Sequence, residues 1–283
     1  MSAVILDGKK LAAEKETILK EKVSALRARG VIPGLSVVLV GEDPASVIYV
    51  RSKEKACERL GIRSLARRLP ADISQTELEK ELRALASNPE VHGILLQLPL
   101  PRGLDADAAI ACIPPEKDVD GFTDLSAGRL ANGMAGFRPC TPVGILELIR
   151  MSGVPMDGKH AVVVGRSTIV GKPCAMMLLE ENCTVTLCHS HTRNLAEMTR
   201  QADILVAATG RAHLITEDMI KPGAVVIDAG IAHLDGHLTG DVEPEGGRRA
   251  AGYLSPVPGG AGPMTIAALM MNTVEAAERF ENV

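Results

Sequence analysis

The run AVVVGRSTIVGKP, from Ala161 to Pro173, decides the fold. Ala161–Val164 is a short apolar stretch of the length of a buried strand. Gly165 ends it, and Gly171 stands where a helix begins and runs to about Glu181. A strand, a glycine turn and a helix in that order aim backbone N–H groups and the positive end of the helix dipole at one point, which is how a pyrophosphate is held. The spacing departs from G-x-G-x-x-G. Ser167 takes the second glycine position, Val170 the third, and Gly171 comes one place late. An ordinary tight loop between strand and helix has the same look, so its neighbours must decide.

Toward the C-terminus the alternation continues. Thr184–Cys188, Ile204–Ala208 and Val225–Asp228 read as strands, Asn194–Gln201 as a helix, His233–Thr239 as a hairpin turning at Asp-Gly, and Pro263–Glu281 as the last helix. An NAD-binding unit places an Asp or Glu about 20 residues after the turn to take the ribose 2′-hydroxyl. Here the second strand ends in Cys188-His189-Ser190-His191-Thr192, without an acid, and Arg166 sits in the turn. A hydroxyl with a guanidinium suits a 2′-phosphate that a carboxylate would repel, so NADP is the expected cofactor. Cys188, His189 and His191 crowd at one strand end and lack the paired spacing of zinc ligands, so they read as a polar loop.

Toward the N-terminus a second α/β series precedes this one. Leu35–Val40 is a buried strand; Asp43 caps a helix with Pro44 at its first position, and Gly61 stops it after Leu60. Ile62–Leu69 reads as a second strand. Ser74-Gln75-Thr76-Glu77 is a capping box opening a helix to about Ala86, and Val91–Gln97 is a third strand. A loop-rich stretch runs from Pro114 to Pro139, and Thr141-Pro142 opens a helix to about Met151. The fold class is α/β, with two lobes and a cleft expected between them, the favoured place for a ligand.

In the first series Tyr49 and Lys53, at i and i+4, share one helix face. The ring can stack on a flat heterocycle and the amine can hold or move a proton; a solvated lysine beside a packing tyrosine fits the spacing equally. Gln97 stands at a strand's C-terminal end, where open α/β sheets place ligands, and its amide oxygen could orient Lys53. Asp120, in Asp118-Val119-Asp120-Gly121, could pair with an aminopyrimidine edge or make an Asx turn. Pro256–Thr265 (PVPGGAGPMT) is a side-chain-poor loop that lets a ligand approach backbone closely.

The 283 residues are 46% hydrophobic, enough for more than one core. The formal charge of −4 shows no basic stripe for nucleic acid, and two Tyr, three Phe and no Trp make a poor platform for stacking bases. The N-terminal apolar run is broken by Asp7, Lys9 and Lys10, and no run approaches membrane-spanning length, so a soluble, cytoplasmic protein is expected. Six cysteines without a CxxC pair read as free thiols.

Taken together, VGEDPASVIYVRSKEKA (40–56), VHGILLQLPLP (91–101), PEKDVDGF (115–122) with AGRL (127–130), PCTPVGILELI (139–149), VVVGRSTIVGKP and PVPGGAGPMT resemble the methylenetetrahydrofolate dehydrogenase/methenyltetrahydrofolate cyclohydrolase family of the bacterial bifunctional FolD type. The resemblance implies an N-terminal catalytic domain (1–121 plus about 265–283) and a C-terminal Rossmann-type NADP domain (122–264). It implies a tetrahydrofolate substrate, a homodimer joined through the cofactor lobes, no metal, and a place in one-carbon metabolism and purine biosynthesis. By position, Tyr49 should stack on the folate, Lys53 should carry cyclohydrolysis with Gln97 as its partner, and Asp120 should anchor the pterin. Pro258, Gly259 and Gly260 should line the folate site, and Gly165, Arg166, Ser167, Ser190 and Ile231 should contact NADP. Two departures stand out: Thr123-Asp124-Leu125-Ser126 where the family often has His-Pro and then Asn, and Ala261 where Val is usual. Another two-lobed dehydrogenase, of shikimate or amino-acid type, or a silent binding module, would share the architecture without needing Tyr49, Lys53, Gln97 and Asp120 together.

Overall fold

The computed structural model describes residues 2–281. In chain order its elements are β1 (Val4–Ile5), α1 (Gly8–Ala28), β2 (Gly34–Val40), α2 (Pro44–Leu60), β3 (Arg63–Ser64), β4 (Arg67–Leu69), α3 (Gln75–Ser87), β5 (Gly93–Leu96), α4 (Ala106–Ile110), α5 (Asp124–Ala131) and α6 (Cys140–Met151). There follow β6 (His160–Val164), α7 (Gly171–Glu180), β7 (Thr184–Cys188), α8 (Leu195–Thr199), β8 (Ile204–Ala207), β9 (Val225–Asp228), β10 (Ala232–Leu234), β11 (His237–Thr239), α9 (Pro244–Ala250), β12 (Tyr253–Leu254) and α10 (Ala261–Glu281). The chain divides into two compact units, one of Lys15–Arg138 with Ile266–Val283, the other of Met1–Glu14 with Pro139–Thr265. This division groups residues 122–138 with the first unit and 1–14 with the second.

In the first unit β2 is central. It pairs in parallel with β3 and β4 on one side and β5 on the other. All seven of its residues are buried, as expected for a parallel strand covered on both faces. The α2 helix starts and stops as its sequence dictates. Asp43 accepts the Ser46 N–H at 2.8 Å, Pro44 costs no hydrogen bond at the first turn, and Gly61 adopts φ +74° to close the last turn. The Ser74–Glu77 box forms reciprocally at the head of α3, and Leu78, Leu82 and Leu85 pack beneath it against Val38, Val40, Ile94 and Leu96.

Local structure differs from the sequence reading or adds to it in three places. The expected strand 62–69 is broken into β3 and β4, and in the gap between them the Ser36 hydroxyl donates to Leu65 O. The loop-rich stretch 114–139 also carries a helix, α5, which Thr123 caps by accepting the Ser126 N–H. A further helix, α1, lies where no element was read.

The second unit is a six-stranded sheet, all parallel, in the order β1-β12-β9-β8-β6-β7. β6, β8 and β9 are almost wholly buried and supply the core with Val162, Val164, Leu205, Ala207 and Val226. From β6 the chain moves outward to β7, then crosses back to β8 on the other side. This reversal makes the switch point where open α/β sheets bind ligands. The expected hairpin forms from β10 and β11, with Asp235 and Gly236 both at positive φ in its turn.

Candidate active site

In the first unit the backbone carries Gln97 to the end of β5, where its N–H bonds Val38 O at 2.9 Å. Its side-chain Nε2 donates to Leu98 O at 2.9 Å, which fixes the amide's orientation and turns Oε1 outward. Oε1 accepts Lys53 Nζ at 2.9 Å from the middle of α2. Both side chains are half-buried. A residue pair 44 positions apart is thus locked into one unit of an amine and an oriented acceptor. An amide directs an amine without the counter-charge a carboxylate would add. Tyr49 lies one turn before Lys53 on α2 and is 37% exposed. Partial burial raises its phenol above the ordinary value, so it stays protonated near neutrality and offers a ring face and a donor, not a base.

Asp120 is half-buried on a segment running beside β5: Ile94 N–H donates to Lys117 O, and the Val119 side chain packs on Gly93 so closely that a Cβ there would lie 2.7 Å away. Lys117 itself donates to Ala86 O and Asn88 O and closes the C-terminal end of α3.

In the second unit the glycine turn is tighter than its spacing suggests. Gly165 has φ +126°, and a Cβ on it would lie 2.2 Å from Ala208 O at the end of β8. A Cβ on Gly171 would lie 2.0 Å from Gly165 O. Gly171, one place late by spacing, therefore performs the close helix-to-strand packing. Ser167 Oγ accepts the N–H groups of Val170 and Gly171, both at 3.2 Å, and so spends the first amides of α7 internally. The backbone N–H groups of Arg166, Ser167, Thr168 and Ile169 have no partner among the described residues, and all four residues are exposed. Four successive exposed amides at the head of a parallel sheet are the kind of turn that can receive a phosphate.

The neighbouring strand ends complete this edge. Val164 pairs with Cys188 and Gly165 N–H donates to Cys188 O, so Arg166 and Ser190 leave adjacent strand ends. Ile231 follows β9 and is 52% exposed, its carbonyl next to Gly210. Cys188 is buried, and burial raises its thiol; His191 N–H donates to His189 Nδ1. These bonds belong to a folded polar turn, and among the described residues no three His, Cys, Asp or Glu side chains are grouped to hold a metal. Pro258, Gly259 and Gly260 also belong to this unit by contact. Gly8, heading α1, sits so close that a Cβ on it would lie 2.0 Å from Gly260 O.

Two buried carboxylates that the sequence reading missed hold this sheet edge together. Asp228, at the end of β9, accepts the N–H groups of Gly230, Asp241 and Val242. Asp241 Oδ2 accepts both the N–H and the hydroxyl of Thr209, just past β8. Burial pushes the Asp228 carboxyl up to about 6, with the Asp241 charge adding to the rise against the three N–H donors. Asp241 Oδ1 is buried without a donor among the described residues. An acid closing an apolar strand, as in Val225–Asp228, was the available signal; its partner 13 residues later was not.

An enzyme that handles a dinucleotide with one unit and a second substrate with the other is the class this arrangement defines. Residues 6–120 match the tetrahydrofolate dehydrogenase/cyclohydrolase catalytic domain, and residues 139–281 match the NAD(P)-binding domain of the same family. The Bifunctional protein FolD of Moorella thermoacetica is 58% identical over 280 residues, 99% of this chain and 100% of that one. The crystal structure of the Campylobacter jejuni bifunctional FolD enzyme, a methylenetetrahydrofolate dehydrogenase/cyclohydrolase, superposes with a TM-score of 0.96 at 45% identity, covering 98% of this chain and 99% of that one. The Trypanosoma brucei methylenetetrahydrofolate dehydrogenase-cyclohydrolase, complexed with NADP and an inhibitor, gives a TM-score of 0.96 at 38% identity over the whole of both chains. The chain belongs to the tetrahydrofolate dehydrogenase/cyclohydrolase family.

Proposed function

We propose that Lys53, held by Gln97, carries the hydrolytic half of a two-step folate interconversion, and that the 165–171 turn binds the cofactor of its oxidative half. The reaction is the NADP-dependent oxidation of 5,10-methylenetetrahydrofolate to 5,10-methenyltetrahydrofolate, followed by hydrolysis to 10-formyltetrahydrofolate. The observation that carries the reading is the 2.9 Å bond between Lys53 Nζ and Gln97 Oε1.

The second unit fits NADP. Its glycine cradle has no room for a Cβ at Gly165 or Gly171, Ser167 shapes the turn, and four turn amides are open to a phosphate. Arg166 and Ser190 recognise the 2′-phosphate by a charge-assisted contact and a hydroxyl, and Ile231 offers an apolar contact. Bound there, NADP would supply the hydride acceptor for the oxidative step. The substrate's own nitrogen lone pair supplies the electronic push, so in this step the chain's side chains need chiefly to position. Tyr49 stacks on the folate, and Asp120 accepts from its aminopyrimidine edge. In hydrolysis water adds to the methenyl carbon and gives one proton to Lys53, with Gln97 holding the amine in place; the carbon–N5 bond then breaks as the hydroxyl becomes the formyl carbonyl, the second proton goes to N5, and the carbon stays on N10.

The chain works as a homodimer in the cytoplasm, with its formyl product serving purine biosynthesis. Support for a dimer comes from β7, which ends the sheet with Leu187 37% exposed, and from Leu179 on α7, 63% exposed. Among the described residues no helix is long and apolar enough to cross a membrane. The purified chain should reduce NADP with methylenetetrahydrofolate and hydrolyse the methenyl compound, followed through its near-ultraviolet band. Absence of both steps would refute the reading.

A further inference from the structure

Asp118 is 1% exposed, yet it is not a loose acid in a loop. Its Oδ1 accepts Phe122 N–H at 3.0 Å. Its Oδ2 accepts Thr123 N–H at 2.9 Å, the Thr123 hydroxyl at 2.7 Å and the Ser126 hydroxyl at 2.7 Å. Four donors on one buried carboxylate satisfy it without a cation. The same Thr123 oxygen accepts Ser126 N–H and so caps α5. One carboxylate thereby ties the start of a helix to the residue two places before Asp120.

The short segment between is fixed from several directions. Val119 O accepts Asn272 Nδ2 at 2.8 Å, and Gly121 N–H donates to Asp118 O at 3.0 Å with φ +69° at Gly121. Asp120 thus rides on a backbone held immediately on both sides. We propose that Asp118, through the hydroxyls of Thr123 and Ser126, is a positioning residue that aims Asp120 at the folate's aminopyrimidine edge. This rests on the proposed role of Asp120. A bidentate contact tolerates little angular error, so loosening this knot should weaken folate binding before it affects the chemical steps or the cofactor.

The test compares Thr123→Val/Ser126→Ala, which removes both hydroxyls, with Thr123→Ser and Ser126→Thr, which keep them. Steady-state kinetics with methylenetetrahydrofolate and NADP should show the folate KM about tenfold higher in the double variant, the size of one lost charge-assisted bond. The turnover at saturating folate and the NADP KM should stay within about twofold, and the hydroxyl-retaining variants should match the parent. An unchanged folate KM, or an equal loss in every parameter, would overturn the proposal. Ser126→Ala alone should raise the folate KM in the same direction, which keeps the test available if the double variant folds poorly. Asp120→Asn run in parallel separates the two readings. If it raises the folate KM and the double variant does not, positioning by Asp118 is wrong; if it leaves the folate KM unchanged, the role of Asp120 is wrong and the proposal falls with it.

Discussion

The two candidate sites are built from opposite materials. In the first unit the proposed working parts are side chains: an amine on α2 and an amide at the end of β5, joined at 2.9 Å. In the second the proposed working part is backbone: a turn whose glycines leave no room for a Cβ and whose amides lack backbone partners. The difference follows from the chemistry each must do. Moving a proton needs a titratable group held at one atom, and that group can be exchanged without moving the chain. Holding a pyrophosphate needs several donors converging from short range, which a main-chain turn provides and a side chain added to it would disperse.

The contrast can be broken first at Gly171. An added methyl would meet Gly165 O and Arg166 N, both backbone, so the turn itself must shift. Gly171→Ala should lower NADP affinity by about 100-fold, the scale of a few displaced hydrogen bonds, with folate binding little changed. Titration of cofactor fluorescence would show it, and an unaltered Kd would mean the cradle is not the phosphate site.

A smaller effect is expected at Arg166, the side chain proposed to meet the 2′-phosphate. Arg166→Ala should weaken NADP by about tenfold or more and leave NAD within about twofold, because the lost contact is to the 2′-phosphate. Equal losses in paired KM measurements would contradict that assignment.

The smallest effect concerns stability. Burial raises Asp228 from the usual 3.8 to about 6, so the folded chain holds a proton there that the unfolded chain gives up. The resulting stability is present below about pH 4 and is lost as pH rises through about 6. The wild type should therefore lose on the order of 5 °C in Tm relative to Asp228→Asn between those limits. Parallel Tm curves for the two proteins across that range would show that Asp228 is not the group responsible.

Legibility followed locality. Signals contained within a few residues were readable and formed: the Asp43-Pro44 start and Gly61 stop of α2, the Ser74–Glu77 box and the Asp235-Gly236 hairpin. The α1 helix escaped reading because charged residues interrupt its buried stripe of Leu11, Leu19, Val23 and Leu26. The break between β3 and β4 did too; the hydroxyl that bonds the backbone there comes from another strand. In the sites, the Lys53–Gln97 pairing was foreseeable as helix face and strand end. By contrast, Asp228 and Asp241 bond to backbone that only the sheet brings together, and the knot around Asp118 needed a helix, α5, that the loop composition hid.

The most direct measurement is methenyltetrahydrofolate hydrolysis by Lys53→Met, with NADP affinity measured on the same protein. Hydrolysis should fall by at least about 100-fold while the NADP Kd stays put. Hydrolysis at the parent rate in that variant would contradict the account at its centre.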